Sequence, residues 1–492
     1  MPESKVRRGE RESMARVDTA WLRMESPTNR MMITGVMTFA SPLALDKLKD
    51  VIARRFLAFR RFRQKAVDTP AGAFWEDDND FDLDWHVRVT ALPGRAGKAE
   101  LQSLASQLAS SPLDQARPLW QFQLVERFGA GSALITRLHH CYADGMALVQ
   151  VMLSLTDVEA RPEKTVELER AWLKRDRGTV TERLLQPARA GIKQVAHIGS
   201  KALAKGRELL VDPEKLEQLA QGGGEILREL AVALSLPDDP PTRLKGVLGA
   251  TKRVAWAEPL PLNEVKTLSH ALGCTVNDVL LAAAAGALRA WLLEQGEDID
   301  GMTIRATVPV NLRPLEHAKQ LGNHFGLVFL ELPIGEGNPL RRVERVAACM
   351  QGLKRSKQAA VTFGLLAAVG MAPAPVQRMA LELFSRKASA VATNVPGPQQ
   401  PMYLAGSRID DLMFWVPQNG SIGVGISILS YNGRVHFGLI ADAKRIPDPQ
   451  AVIDRFAPEF EKLLLITLME DWDDPIVSAG AEATLAHHAA AT

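Results

Sequence analysis

Cysteine is scarce: Cys141, Cys274 and Cys349 are the only three in 492 residues, and none are spaced as metal-ligand pairs. So low and odd a count suits a reducing compartment and removes both a disulfide framework and a zinc site from consideration. Charge of one sign is not in excess, since 59 Lys and Arg stand against 57 Asp and Glu for a formal +2, so the chain lacks the field that draws in nucleic acid. No apolar region follows the charged start MPESKVRRGERES, so no secretory signal is expected and the cytoplasm is the expected location. The longest uninterrupted apolar runs, Val279 to Leu288 and Phe363 to Val376 (broken by Pro373 and Pro375), fall short of the ~20 residues that cross a bilayer. Short tandem repeats are missing as well.

What is there describes a folded protein. Hydrophobic residues make up 46% and charged ones 24%, enough for a sizeable core. The length suggests two to four domains or one large pseudo-symmetric unit. Residues 1–162 mix helix and strand patterns: Leu43 to Phe59 repeats apolar positions at helical spacing, and Met31 to Phe39 and Ala133 to Leu138 read as strands. Residues 163–245 are basic, helix-prone and free of strand signal, closed by Pro237, Pro240 and Pro241, and read as a helical linker. Mixed structure returns over 246–477, with strands predicted at Val254 to Trp256, Thr303 to Val310, Leu327 to Leu332, Ile422 to Leu429 and Arg434 to Ile440, and helices at Ala347 to Lys357 and Gln450 to Leu468. The tail 478–492 carries no core pattern.

Chemistry concentrates where the apolar strand from Leu134 runs into His139, His140, Cys141, Tyr142, Ala143, Asp144 and Gly145, ahead of a helical run from Met146 to Thr156. An imidazole titrates near neutrality, so one displayed at a strand's end can take a proton from an alcohol or thiol and return it to a leaving group. His140 suits that base. Asp144 sits at the turn, where it can fix the backbone or pair with an arginine, and Gly145 supplies the positive φ or close packing that such a turn can demand. An isolated histidine pair is at least as often a satisfied polar pair in a core. A metal is disfavoured, because adjacent histidines on a strand point to opposite faces.

HHCYADG matches the HHxxxDG signature of the CoA-dependent acyltransferase superfamily, and the chain as a whole resembles the bacterial wax ester synthase/diacylglycerol acyltransferase family within it. Further motifs of that family recur in order: Met14-Ala-Arg-Val-Asp18 with Trp21-Leu22 and Pro27-Thr-Asn29, Phe81 to Val87, Pro112-Leu-Asp114, Pro118-Leu-Trp120, Arg253-Val-Ala-Trp256, Thr275-Val-Asn-Asp278, Val308-Pro-Val310, Gly322-Asn323 and Asn394-Val-Pro-Gly-Pro398. The resemblance implies an α/β fold of two chloramphenicol-acetyltransferase-like halves with an active-site tunnel at their interface. It implies transfer of a fatty acyl group from acyl-CoA to a long-chain alcohol or a diacylglycerol, with His140 as base, His139 its neighbour, Asp144 the structural acid and no cofactor. Two departures stand out: Cys141-Tyr142-Ala143 replaces the usual small aliphatics, with Tyr142 expected to alter the lining, and Arg30-Met31-Met32 stands where many members have Pro-Met-His.

On their own physics, Thr275 and Asp278 form a ready capping box for the apolar helix that follows. The resemblance adds that Asn277 and Asp278 lie near the tunnel, the Asn277 amide able to donate to an oxyanion. Asn394 to Pro398 reads as a rigid turn crossing between the halves. Trp120 reads first as a buried strand start and second as acyl-path lining. Arg61 is preferred over Arg313 as the partner of Asp144. From Arg183 to Val211 an apolar stripe with a cationic flank suits a membrane face or lipid inclusion, although such a stripe more often packs on the protein itself. Rivals are a condensation-domain-like N-acyltransferase and a catalytically inactive lipid-binding protein.

Overall fold

The computed structural model describes residues 11–70, 72–160, 236–312, 321–369 and 374–469. The expected linker stripe over 183–211, the tail 478–492 and Arg313 therefore lie outside the described residues. In chain order the first part comprises β1 (Glu12–Ser13), α1 (Arg16–Met24), β2 (Met32–Phe39), α2 (Leu45–Val51), β3 (Gln64–Thr69), β4 (Gly72–Asp77), α3 (Leu83–His86), β5 (Val87–Thr90), α4 (Lys98–Ser110), β6 (Trp120–Phe128), β7 (Gly131–His139), α5 (Gly145–Ser154) and β8 (Thr156–Asp157). The second comprises β9 (Lys252–Trp256), β10 (Leu260–Pro261), α6 (Leu262–Ala271), α7 (Val276–Glu294), β11 (Ile304–Asn311), β12 (Phe325–Leu332), α8 (Pro339–Arg355), α9 (Gln358–Val369), α10 (Ala374–Arg386), β13 (Ala390–Pro396), β14 (Tyr403–Leu404), β15 (Ser407–Trp415), β16 (Val424–Tyr431), β17 (Arg434–Asp442), α11 (Gln450–Ile453) and α12 (Phe456–Met469).

Two seven-stranded sheets carry the architecture. The first runs β5-β6-β7-β2-β15-β14-β8; the second runs β10-β17-β16-β13-β11-β12, with β9 also pairing β17. Every residue of β2 and β7 is buried, as central strands covered on both faces require. The boundary expected at 246 does not divide the sheets. β14 and β15, from the second half, complete the first half's sheet, with Leu412 opposite Met37 and Phe414 opposite Gly35. The chain leaves the second sheet after Pro396 and re-enters it at Val424, so Asn394 to Pro398 leads a crossing between the halves. It does so as a strand end rather than a turn from its first residue: Asn394 pairs with Ile428 and Pro396 with Ser430.

A third apolar cluster, with Val36, Ile135, Val254, Trp256, Met413 and Trp415, joins the sheets through α4 and β9. Helix α7 is, by length and composition, long and apolar enough to cross a membrane, beyond what the shorter unbroken run suggested, yet it is mostly buried inside the protein. Its N-terminus is the expected capping box: Thr275 N–H donates to Asp278 Oδ2 (2.9 Å) and Asp278 N–H to Thr275 Oγ1 (3.3 Å), a device worth about 1 kcal/mol.

Candidate active site

The two sheet neighbours of β7 hold both histidines by their backbone. His139 N–H donates to Leu119 O (2.9 Å), ahead of β6, and His140 N–H to Met31 O (2.7 Å), ahead of β2. The chain then turns, and Asp144 caps α5 by accepting the Ala147 N–H at Oδ1 (2.8 Å), the N-terminal arrangement that satisfies an otherwise orphaned helix donor. Its other oxygen, Oδ2, accepts the backbone N–H of His324 (3.0 Å). Around this contact Gly322 N–H donates to Tyr142 O (3.0 Å) and Ala143 bridges Gly322, so the motif turn is tied to the segment entering β12 of the other half. Gly322 has φ +102°, a conformation L side chains rarely adopt, which explains glycine there.

The His140 ring lies on the indole of Trp21, with centroids 4.1 Å apart, and 5.6 Å from Phe325. Its carbonyl accepts Asn323 Nδ2 (2.8 Å), while Nδ1 is buried without a hydrogen-bond partner among the described residues. Burial pushes its pKa down to about 4 against the opposing pull of Asp144, so the imidazole is neutral near pH 7, as a base must be. His139 is held differently. Its Nδ1 accepts the Cys141 N–H (3.1 Å) and its Nε2 lies 2.9 Å from Glu25 Oε2. An acceptor at Nδ1 leaves a neutral ring's proton on Nε2, facing Glu25. Burial raises the Glu25 carboxyl, but His139 and Arg30, whose Nη1 is 3.2 Å from Oε1, outweigh it and hold the pKa below the usual value. The departure at Arg30 thus reaches the first histidine through Glu25.

Helix α1 and the turn after it supply Asp18, Trp21 and Glu25. Asp18 Oδ1 accepts both the backbone N–H (2.9 Å) and Nδ2 (2.8 Å) of Asn323, the residue whose amide also holds the His140 carbonyl. Burial lifts the Asp18 pKa to about 6, the Asn323 bonds working against it. Asp18, Trp21, Glu25, Asn323 and Phe325 carried no role in the sequence reading. The signal for three of them was present, since Asp18, Trp21 and Asn323 stand in the ordered motifs.

Other predicted residues sort plainly. Arg61 does not serve Asp144 as preferred: its guanidinium donates to Glu12 Oε1 (2.6 Å) and Gln64 Oε1 (3.0 Å) and lies over Trp75, because β1 brings Glu12 alongside. Gly145 has an ordinary φ, and among the described residues a Cβ there would meet nothing within 4 Å, so neither positive φ nor a described neighbour demands glycine. Tyr142 does not face a lining. It is buried, donating to Gln64 O (2.7 Å), accepting Leu119 N–H (3.0 Å) and packing on Trp75 and Phe62. Trp120 is likewise core, donating to Phe62 O (2.8 Å) and stacked on His86. Asp278 is occupied by its cap, and Asn277 Oδ1 accepts Asn394 Nδ2 (2.7 Å). Cys141 is fully buried, and that burial, then the charges of Asp18 and Glu25, pushes its thiol well above the ordinary value, leaving it protonated and a poor nucleophile.

Sequence comparison matches residues 14–280 to the wax ester synthase/diacylglycerol acyltransferase catalytic domain and residues 321–464 to the WS/DGAT C-terminal domain. A Mycobacterium bovis protein bearing the name "putative diacylglycerol O-acyltransferase" is 29% identical over 485 residues, covering 92% of this chain and 90% of that protein. A Mycobacterium tuberculosis protein named "probable diacylglycerol O-acyltransferase" is 28% identical over 81% of this chain and 83% of its own length. Among solved structures, a wax ester synthase/diacylglycerol acyltransferase from Marinobacter aquaeolei superposes with a TM-score of 0.67 at 22% identity, covering 93% of this chain and all of that one. The first condensation domain of the calcium-dependent antibiotic synthetase follows at 0.56 and 15% identity, over 95% and 97% of the two chains. These likenesses show a mixed α/β fold with two sheet-containing halves.

Proposed function

The chain belongs to the wax ester synthase/diacylglycerol acyltransferase family, and we propose that it transfers a fatty acyl group from acyl-CoA to the hydroxyl of a long-chain alcohol or a diacylglycerol. The observation that carries this is His140: a buried, neutral imidazole fixed by Met31 O, Asn323 and the Trp21 ring at the end of a central strand. Such a group takes the acceptor's hydroxyl proton as the oxygen attacks the thioester carbonyl, and the C–S bond breaks as the tetrahedral intermediate collapses. The departing CoA thiolate receives the proton from His140. Asp144 joins the two halves around the reacting groups rather than touching them. Asn277 is the candidate oxyanion donor through Nδ2, the amide group its bond to Asn394 leaves out. The protonated, buried Cys141 supports direct transfer without an acyl-enzyme.

The test is CoA-thiol release from palmitoyl-CoA with hexadecanol or dioleoylglycerol as acceptor, wild type against His140→Ala, with the lipid products separated. Acceptor-dependent release that falls by about 10²-fold or more in the variant supports the reading, and the product ratio names the acceptor class. No release with either acceptor from folded protein would shift the assignment to an amine acceptor or to lipid binding without catalysis.

A further inference from the structure

We infer that Arg88 and Arg117, gathered on Trp85, form the docking site for the phosphate groups of the CoA donor; this rests on the acyl-CoA reading above. The Arg88 Cζ lies 4.9 Å and the Arg117 Cζ 5.0 Å from the centre of the Trp85 ring. Two like charges on one indole repel unless an anion joins them, and paired guanidinium forks match phosphate oxygens in geometry as well as charge. Among the described residues neither arginine makes an ion pair. Arg88 Nε donates to Trp85 O (2.9 Å), and Arg117 Nη1 is buried with no hydrogen-bond partner.

The nearby acids are engaged elsewhere. Asp84 holds Lys49 (2.8 Å), Asp78 lies 3.7 Å from Lys65, Asp82 accepts the Asp84 N–H (2.9 Å) and Asp114 that of Ala116 (2.9 Å). A third arginine, Arg137, is buried on Leu108 O, Ser111 O and the Gln121 side chain; burial and then the charge of Arg88 bring its pKa down to about 10, a sign that the Arg88 charge is felt.

The position fits the reaction. Trp85 lies in α3, two residues before the edge strand β5, and Arg117 stands two residues before Leu119, whose carbonyl holds the His139 N–H and whose N–H reaches Tyr142 Oη. Phosphates seated there are a short stretch of sheet away from His140, and the flexible pantetheine arm spans the remainder.

Isothermal titration of the full chain with CoA, and with pantetheine as the phosphate-free control, tests this in wild type, Arg88→Gln and the Arg88→Gln/Arg117→Gln pair. CoA affinity is expected to fall about tenfold or more in the double variant, less in the exposed single one, with pantetheine affinity the same in all three. The ratio of kcat/KM for palmitoyl-CoA to that for S-palmitoyl-N-acetylcysteamine falls in parallel. Equal CoA affinity in wild type and double variant overturns the inference, as does wild-type binding to phosphatidylglycerol vesicles with none to CoA. Binding of CoA through these arginines by a chain that releases no thiol keeps the inference and removes the acyltransfer reading; thiol release with CoA affinity indifferent to them does the reverse.

Discussion

The indole of Trp21 and the imidazole of His140 lie face to face, 4.1 Å between centroids and 18° from parallel. Trp21 therefore does two things at once: it fills the space over the base, and it contributes to the burial that lowers the His140 pKa. Trp21→Ala is expected to cost about 3–5 kcal/mol of stability through the cavity it leaves and to lower kcat about 10²-fold through loss of ring placement. Trp21→Phe keeps a stacking face and should recover most of both. Thermal unfolding and thiol release measure the two effects separately, and a kcat unchanged in a folded Trp21→Ala protein would end this account of the pair.

The pH profile follows from the same burial. A base works when neutral, so with its pKa near 4 the kcat of the enzyme should stay level from pH 8 down to about 5 and fall as pH passes through about 4. An exposed histidine would fall through about 6.5 instead. A profile of kcat in rapid pH-jump assays distinguishes them.

Asp18 predicts a different pH effect, on stability. Its carboxyl rises from 3.8 to about 6 on folding, so the folded state holds the proton more tightly. The associated stability is fully present below about 4 and is lost as pH rises through 6, a change of about 3 kcal/mol by order of magnitude. Asp18→Asn keeps an oxygen for Asn323 and removes the charge. Its unfolding midpoint should exceed wild type at pH 8, by about half as much near pH 5, and converge with it below about pH 4; a difference independent of pH would refute the assignment.

Cys141 is expected to be silent. Cys141→Ala should keep kcat within about threefold, given that the thiol is buried and protonated. Native protein treated with a thiol reagent should label Cys274 or Cys349 and leave Cys141 untouched until unfolded. An acyl-thioester trapped on Cys141 during turnover would overturn direct transfer.

What the sequence determined was local or ordered along the chain. The strand before His139, the helix that follows the Asp144–Gly145 turn, the capping box at Thr275 and the buried start of β6 at Trp120 depend on period, turn chemistry and caps within a few residues, and the sequence carries those directly. The ordered motifs carried the family. What only the tertiary structure decided was who meets whom across long separations: Asn323 on the His140 carbonyl 183 residues away and on Asp18 305 residues away, β15 inserted beside β2, and Glu12 rather than Asp144 beside Arg61. Those pairings come from packing two sheets around exchanged strands, where shape and the need to satisfy buried polar groups choose partners. Periodicity has no term for that choice, which is why Asp18 and Asn323 could be quoted as motifs and still have no assigned role until the fold brought them onto one histidine.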